Sequence, residues 1–358
     1  PVFFSRNAAV FFADASYDKL CREIFRSELS GNTLTLHYTL QNPADYGIYE
    51  DEAHLPVYSA DNRALSNAAI TGWSERLAAI DPENLSDQNR YSYTLLTRYL
   101  ALQQSLSAYS CYEEPLSPNS GMQQTLPVLF SEYRFAKRKD IDDYLSLLSQ
   151  TGDYFQGLAF EQEKANAGLF MSESSADMLI SGCETFLTED SINNGSHFLV
   201  DSFVSRLMEF QKNYPELLNE EAFEHYYQEN IRILKEDVMP AYQMLAEEMT
   251  RLSESASHNS MSGDPGLSAY SDTPEISDSS DKAASKKKYY TLLVQKSTGS
   301  CRPLEEVQEM LYIQFDTLRA ELMNLRKQDA DPQIADRHTH PLSVEDILTF
   351  LQEDMKED

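Results

Sequence analysis

Apolar residues recur at spacings of three and four along most of this chain, and almost nowhere do they alternate residue by residue. That recurrence limits the fold more than any other feature, because a three–four spacing lines one face of an α-helix, whereas a strand needs a period of two. Leu20, Cys21, Ile24, Phe25 and Leu29 form such a stripe over 18–29, and Gly31 follows as a stop. Segments 64–80 and 86–109 read as a helical pair; in the second, Tyr91, Leu95, Tyr99, Leu102 and Leu106 keep the spacing. Ser86 and Asp87 offer oxygens to its first amides, and Asp81-Pro82 breaks the pattern so that the two helices run antiparallel. Further helices are expected over 140–148, 154–167, 174–186, 197–210, 219–252, 303–327 and 343–355. Pro240 has no amide proton and should break or kink the longest of them. Thr33 to Leu40 (TLTLHYTL) alternates in part, has no partner strand nearby and reads as an extended link. The expectation is an all-α fold of roughly a dozen helices in one elongated unit, with no sheet beyond a short hairpin.

Composition narrows the function classes. The chain has 358 residues, 41% of them hydrophobic, so it can bury a sizeable core. Its 58 acidic residues outnumber 29 basic ones, and the resulting net charge of −29 repels a phosphate backbone. Nucleic acid is therefore not an expected partner; solvated acidic faces and cationic peptides are compatible with the field. No run reaches the ~18–20 apolar residues that a membrane helix needs. The opening PVFFSRNAAVFFADAS is interrupted by Arg6 and Asp14 and is not an intact signal peptide. Cys21, Cys111, Cys183 and Cys301 form no Cys-x-x-Cys pair, which argues against a thiolate zinc site and for thiols that pack as small hydrophobes.

Three segments follow from the pattern: a helical region over 1–252, a serine-rich insertion over 253–285 and a C-terminal helical region over 286–358 packed on the same unit. The insertion holds eleven serines with Gly263, Pro265, Gly266 and Pro274, a composition that cannot offset its ordering entropy and should be mobile.

Motifs of self-sufficient chemistry are missing from the sequence. None of the seven histidines begins a His-Glu-x-x-His helix. His338-Thr339-His340, with Asp336 and Glu345 nearby, has the most metal-like spacing, but Pro332 and Pro341 flank it as in a surface connection. Glu224-His225 lacks a second histidine at ligand spacing, and Asp142-Asp143, Glu220-Glu221 and Glu247-Glu248 read as solvated helix faces. No Gly-x-Ser-x-Gly elbow and no phosphate loop occurs. The catalytic and metal residue sets are accordingly empty. Two places can contact a substrate. In the segment from Met122 to Phe135, where Gly121 and Pro127 should interrupt regular structure, Tyr133 and Arg134 bring an aromatic ring and a cation together. Arg134 can grip a substrate carboxylate in bidentate fashion, or pair with Asp140, Asp142 or Asp143 to pin two helices. The Tyr289-Tyr290 pair can set one ring in the core and the other along a cleft.

The run from Ser120 to Phe170 (SGMQQTLPVLFSEYRFAKRKDIDDYLSLLSQTGDYFQGLAFEQEKANAGLF) resembles the bacterial domain of unknown function 885 family. Phe25 to Gly47, Val238 to Leu245, and the pieces Gly266-Leu267, Tyr289-Tyr290 and Thr298-Gly299 are similar to that family in the same order. Full-length members resemble gluzincin-type zinc metallopeptidases. The resemblance implies the N-terminal half of a channel peptidase, with the zinc motif belonging to a part this chain does not match. It further implies no cofactor in this chain and zinc only in a full-length relative. The implied partners are a peptide substrate or the missing C-terminal catalytic half, and the implied setting is the cell envelope or outside the cell, as for a secreted protein or lipoprotein. Helices built to pack on an absent half would leave an apolar patch that invites self-association. The alternative is an autonomous, non-enzymatic helical binding module.

Overall fold

The computed structural model describes residues 2–49, 52–165, 170–262 and 279–329, and among them every regular element is helical. The expectation of an all-α chain holds, and no strand or hairpin occurs among the described residues. The fold divides into two compact units, Pro1–Leu292 and Leu293–Asp358.

The first unit has two main cores. Helices α1 (Val2–Leu29), α3 (Ala60–Ala78) and α4 (Asp87–Ser107) enclose the smaller, built on Tyr17, Leu20, Ile24, Trp73, Leu77 and Leu100. The cap expected of Ser86 forms, accepting a bond from the Asn89 amide (3.4 Å), and Ser59 caps α3 four residues earlier than the expected start by accepting from the Asn62 amide (3.1 Å). A 3-10 turn, Pro82–Asn84, joins α3 to α4, and the two helices pack on each other. One detail departs from the sequence reading. Tyr91, Leu95 and Tyr99 are exposed, and α4 turns Tyr93, Leu96 and Leu100 to the core. The helix carries two apolar stripes, and the one facing Trp73 and α1 is buried.

The larger core is enclosed by α5 (Met122–Glu132), α6 (Arg138–Ser149), α7 (Thr151–Ala165), α8 (Glu173–Phe186), α9 (Glu189–Asn193), α10 (Phe198–Asn213), α11 (Glu220–Ile233) and α12 (Met239–Ser262). Helix α12 runs against α7 and α8, while α10 packs on α5 and α11.

Two expectations are corrected here, and a third takes a specific form. Thr33 to Leu40 is no extended link: Thr33–Thr39 forms helix α2, capped by Asn32 at the Thr35 amide (3.1 Å). Its alternation arises because Leu34 enters the large core while Leu36 enters a separate cluster with Leu29 and Ile48. Pro127 does not interrupt regular structure, since α5 runs straight through it. The break expected at Pro240 occurs, as a shift of helical register just before that residue. A π-turn, Leu234–Val238, precedes it, and the Met239 amide bonds back five residues to the Leu234 carbonyl, so the ladder shifts register before it reaches the proline.

Helix α12 continues to Ser262 and α13 (Ser279–Thr298) begins inside the serine-rich stretch, so both ends of that stretch are helical. Its middle, the histidines at 338 and 340, and the expected helix over 343–355 lie outside the described residues. In the second unit, α14 (Leu304–Asp329) matches the helix expected over 303–327.

Candidate functional site

The corner between α5 and α6 gathers most of the polar chemistry. Tyr133 closes α5 and is 1% exposed, stacked face to face on His37 of α2 (3.7 Å between centroids, 12° between planes). The Arg134 amide donates to His37 Nε2 (3.2 Å), which requires an unprotonated nitrogen there. Burial lowers the His37 pKa, the charges of Lys137 and Arg134 act in the same direction, and Asp140 and Asp143 oppose them. Next to it, Tyr38 Oη donates to the Leu129 carbonyl, and burial pushes that hydroxyl's pKa up to about 12. A seven-residue helix is thereby clamped onto the corner by one ring stack and two hydrogen bonds.

Arg134 does not pin helices. Its side chain is exposed, and each of the three expected acidic partners is engaged elsewhere. Asp140 Oδ2 accepts from the amides of Ala136 (2.9 Å) and Lys137 (3.0 Å) at the start of α6. Asp142 Oδ1 accepts from Tyr226 Oη (2.7 Å), whose oxygen in turn accepts from Arg138 Nε (3.0 Å). Asp143 pairs with Lys139 (2.6 Å). The guanidinium that does join helices is Arg206 on α10, which the sequence reading passed over. Its Nη1 donates to the carbonyls of Phe130 (3.0 Å) and Ser131 at the end of α5, where the helix dipole favours a cation. Its carbon Cζ lies 5.3 Å from the Phe135 ring centroid and 5.6 Å from that of Tyr144.

An open cleft of about 490 Å3 borders this corner, lined by Glu52, His54, Asp142, Asp143, Ser146 and Gln150. The rim segment is held firmly. Gln150 donates to the Ala53 carbonyl (2.7 Å) and accepts from the Leu55 amide (3.0 Å), while Thr33 Oγ1 accepts from the His54 amide (2.8 Å). Asp143 belongs to both places, lining the cleft and acting through its charge on His37. The acidic lining of the cleft suits a cationic group.

Tyr289 and Tyr290 part ways as the sequence allowed. The Tyr289 ring is half-buried and stacks on Tyr112 (5.8 Å, 27°), with its hydroxyl pushed up to about 12 by burial; Tyr290 is 60% exposed. Tyr133 has His37, Phe135 and Tyr144 as ring neighbours, so the structure draws the two aromatic pairs into different surroundings. All four cysteines are free thiols. Among the described residues no three His, Cys, Asp or Glu side chains come together to hold a metal ion, and no helix is long and apolar enough to cross a membrane.

Comparison with known proteins adds three findings. The sequence profile of a family described as "Bacterial protein of unknown function (DUF885)" matches residues 42–358. No curated protein matches the chain significantly. A crystal structure described as "the putative lipoprotein from Colwellia psychrerythraea" superposes with a TM-score of 0.62 at 15% identity, over 90% of this chain and 52% of that one. At that identity the likeness concerns the fold alone, and the chain spans about half the length of the solved structure.

Proposed function

The chain belongs to the DUF885 family of bacterial proteins, and we propose that it serves as the helical substrate-channel portion of a zinc-metallopeptidase-like protein, holding peptide without cutting it. The observation that carries this reading is the acid-lined cleft along α6, with the exposed Arg134 on the segment that leads into that helix. Glu52 suits an amino terminus or a basic side chain, Asp142 and Asp143 add negative charge beside it while bonded to Tyr226 and Lys139, and Arg134 is proposed to receive the peptide carboxylate. Tyr133 acts in this account as a buried support for the arginine's backbone. Tyr289 and Tyr290 are proposed to extend the peptide-contacting wall, with Tyr290 the exposed member.

Hydrolysis of this type needs a zinc ion to polarise the scissile carbonyl and acidify a water. That ion would belong to a separate catalytic half with which this chain works, and the chain itself would carry no cofactor. The lipoprotein description of the structural neighbour supports an envelope or secreted setting. An autonomous binding module would share the cleft and need no second half. One feature favours the two-half reading: α14 exposes Leu311, Phe315, Leu318 and Leu322, which three–four spacing sets on one face, an apolar surface suited to a protein partner.

Fluorescence polarisation with a labelled lysine-containing peptide tests the reading. Saturable binding should weaken when Arg134 becomes Ala or when the peptide carboxylate is amidated. Equal affinity for free-acid and amidated peptides would remove Arg134 from the site, and no binding would remove the site.

A further inference from the structure

Four buried side-chain atoms without a hydrogen-bond partner within the protein belong to three neighbouring residues: Tyr144 Oη, Asn230 Nδ2, Asn230 Oδ1 and Arg206 Nε. They sit where α6, α10 and α11 meet. Tyr144 and Asn230 are both 0% exposed, so bulk solvent does not reach them. Tyr144 Oη, the Asn230 amide and Arg206 face one another at the edge of hydrogen-bond reach, and none of the four atoms completes a bond of good geometry. A buried amide with neither end paired, beside an unpaired hydroxyl and an unpaired guanidinium N–H, is costly and rare in a folded core.

We propose that this junction is a binding site for one internal water molecule, held by Tyr144 Oη, the Asn230 side-chain amide and Arg206 Nε. The donor and acceptor inventory selects the ligand. Arg206 Nε and Asn230 Nδ2 only donate, Asn230 Oδ1 only accepts, and the tyrosine hydroxyl does either. Water accepts from two groups and donates to two, which matches this set, and buried waters make about three such bonds. An anion would satisfy the donors and leave Asn230 Oδ1 facing a like charge. The surroundings leave little room for more than one small molecule: Phe203 stacks on the Tyr144 ring at 5.2 Å and Phe135 meets it edge-on at 5.6 Å.

The site has a structural consequence that is independent of the peptide reading. Arg206 reaches the end of α5 through the carbonyls of Phe130 and Ser131. A water on its Nε ties that same guanidinium to α6 and α11, so the four helices behind the Tyr133–Arg134 corner share one polar joint.

A crystal structure of the full chain at about 1.5 Å resolution or better, with a parallel bromide soak, tests the proposal. The expected result is one well-ordered water about 3 Å from Tyr144 Oη, the Asn230 amide and Arg206 Nε, with no anomalous bromide peak. A bromide at the junction would overturn the assignment in favour of an anion, and a direct Tyr144–Asn230 bond with no density between would overturn it outright. In solution, Tyr144→Phe and Asn230→Leu should each lower the thermal midpoint, and the double variant should lower it by less than the sum. Strict additivity would contradict a shared ligand. If Asn230→Leu fails to fold, the crystal structure of Tyr144→Phe serves instead, and retention there of an unchanged water by Asn230 and Arg206 alone would remove Tyr144 from the site.

Discussion

Tyr242 Oη donates a 2.6 Å hydrogen bond to the backbone carbonyl of Gln123, 119 residues away in sequence. In an unbroken α-helix that carbonyl would accept from the amide four residues on, and the residue there is Pro127, which has no proton to give. A tyrosine of α12 thus replaces the bond that a proline removes from α5. Tyr242 is 3% exposed and Gln123 1%, so the replacement takes place away from water.

Tyr242→Phe should therefore lower stability by about 1–3 kcal/mol, the cost of leaving a buried acceptor unpaired. The double change with Pro127→Ala should recover part of that loss, because the alanine amide restores the native ladder. Urea unfolding of the four proteins measures the coupling; additive effects would show that the two side chains do not share the carbonyl.

Gly121→Ala should destabilise by about 1–3 kcal/mol through overpacking. A Cβ at 121 would lie 2.3 Å from the Ser117 amide nitrogen and 2.7 Å from its carbonyl oxygen, and backbone cannot swing aside as a side-chain tip can. Gly157→Ala meets a milder version, 2.9 Å from the Tyr58 carbonyl oxygen. Thermal midpoints should rank wild type, Gly157→Ala, Gly121→Ala in descending order; the reverse order of the variants would contradict the packing argument.

Stability should fall on mild acidification, and two histidines set the sign. Burial lowers the pKa of His37 and of His197. Both have a nitrogen that accepts a backbone amide, His37 Nε2 from Arg134 and His197 Nδ1 from Leu199. A histidine whose folded pKa lies below the unfolded value of about 6.5 takes up its proton more readily in the unfolded chain. The contribution is fully present above about pH 6.5 and is lost as the pH falls from there toward the lowered folded values. The thermal midpoint should drop between pH 7.5 and 5.5, and His37→Gln should drop less over the same interval. Identical pH profiles for wild type and variant would remove His37 from the effect.

Several helices were legible in the sequence because three–four spacing, the Ser86 cap and the Asp81-Pro82 break are local signals. What escaped was decided by contacts distant in sequence. Thr33–Thr39 imitates a strand because its two leucines enter different clusters. Pro127 looks like a breaker until Tyr242 arrives from another helix. At the candidate site, the Tyr133–Arg134 corner was visible as an aromatic beside a cation, but the partners expected for Arg134 are held by the α6 cap, Tyr226 and Lys139. Arg206 left one overlooked trace: a cation set three residues after Phe203 and one before Leu207, at the edge of a buried stripe. The cleft itself left no trace, since Glu52 and Asp142 are 90 residues apart and meet only in the folded chain.

Peptide binding without cleavage is the behaviour proposed for this chain. The most direct measurement incubates the purified chain, with one equivalent of added zinc, with a labelled lysine-containing peptide, and reads binding by polarisation and integrity by mass spectrometry. Saturable binding is expected, weakening with rising salt and further with Glu52→Gln or Arg134→Ala, with the peptide left intact. Hydrolysis that rises with added zinc and stops with a chelator would contradict it.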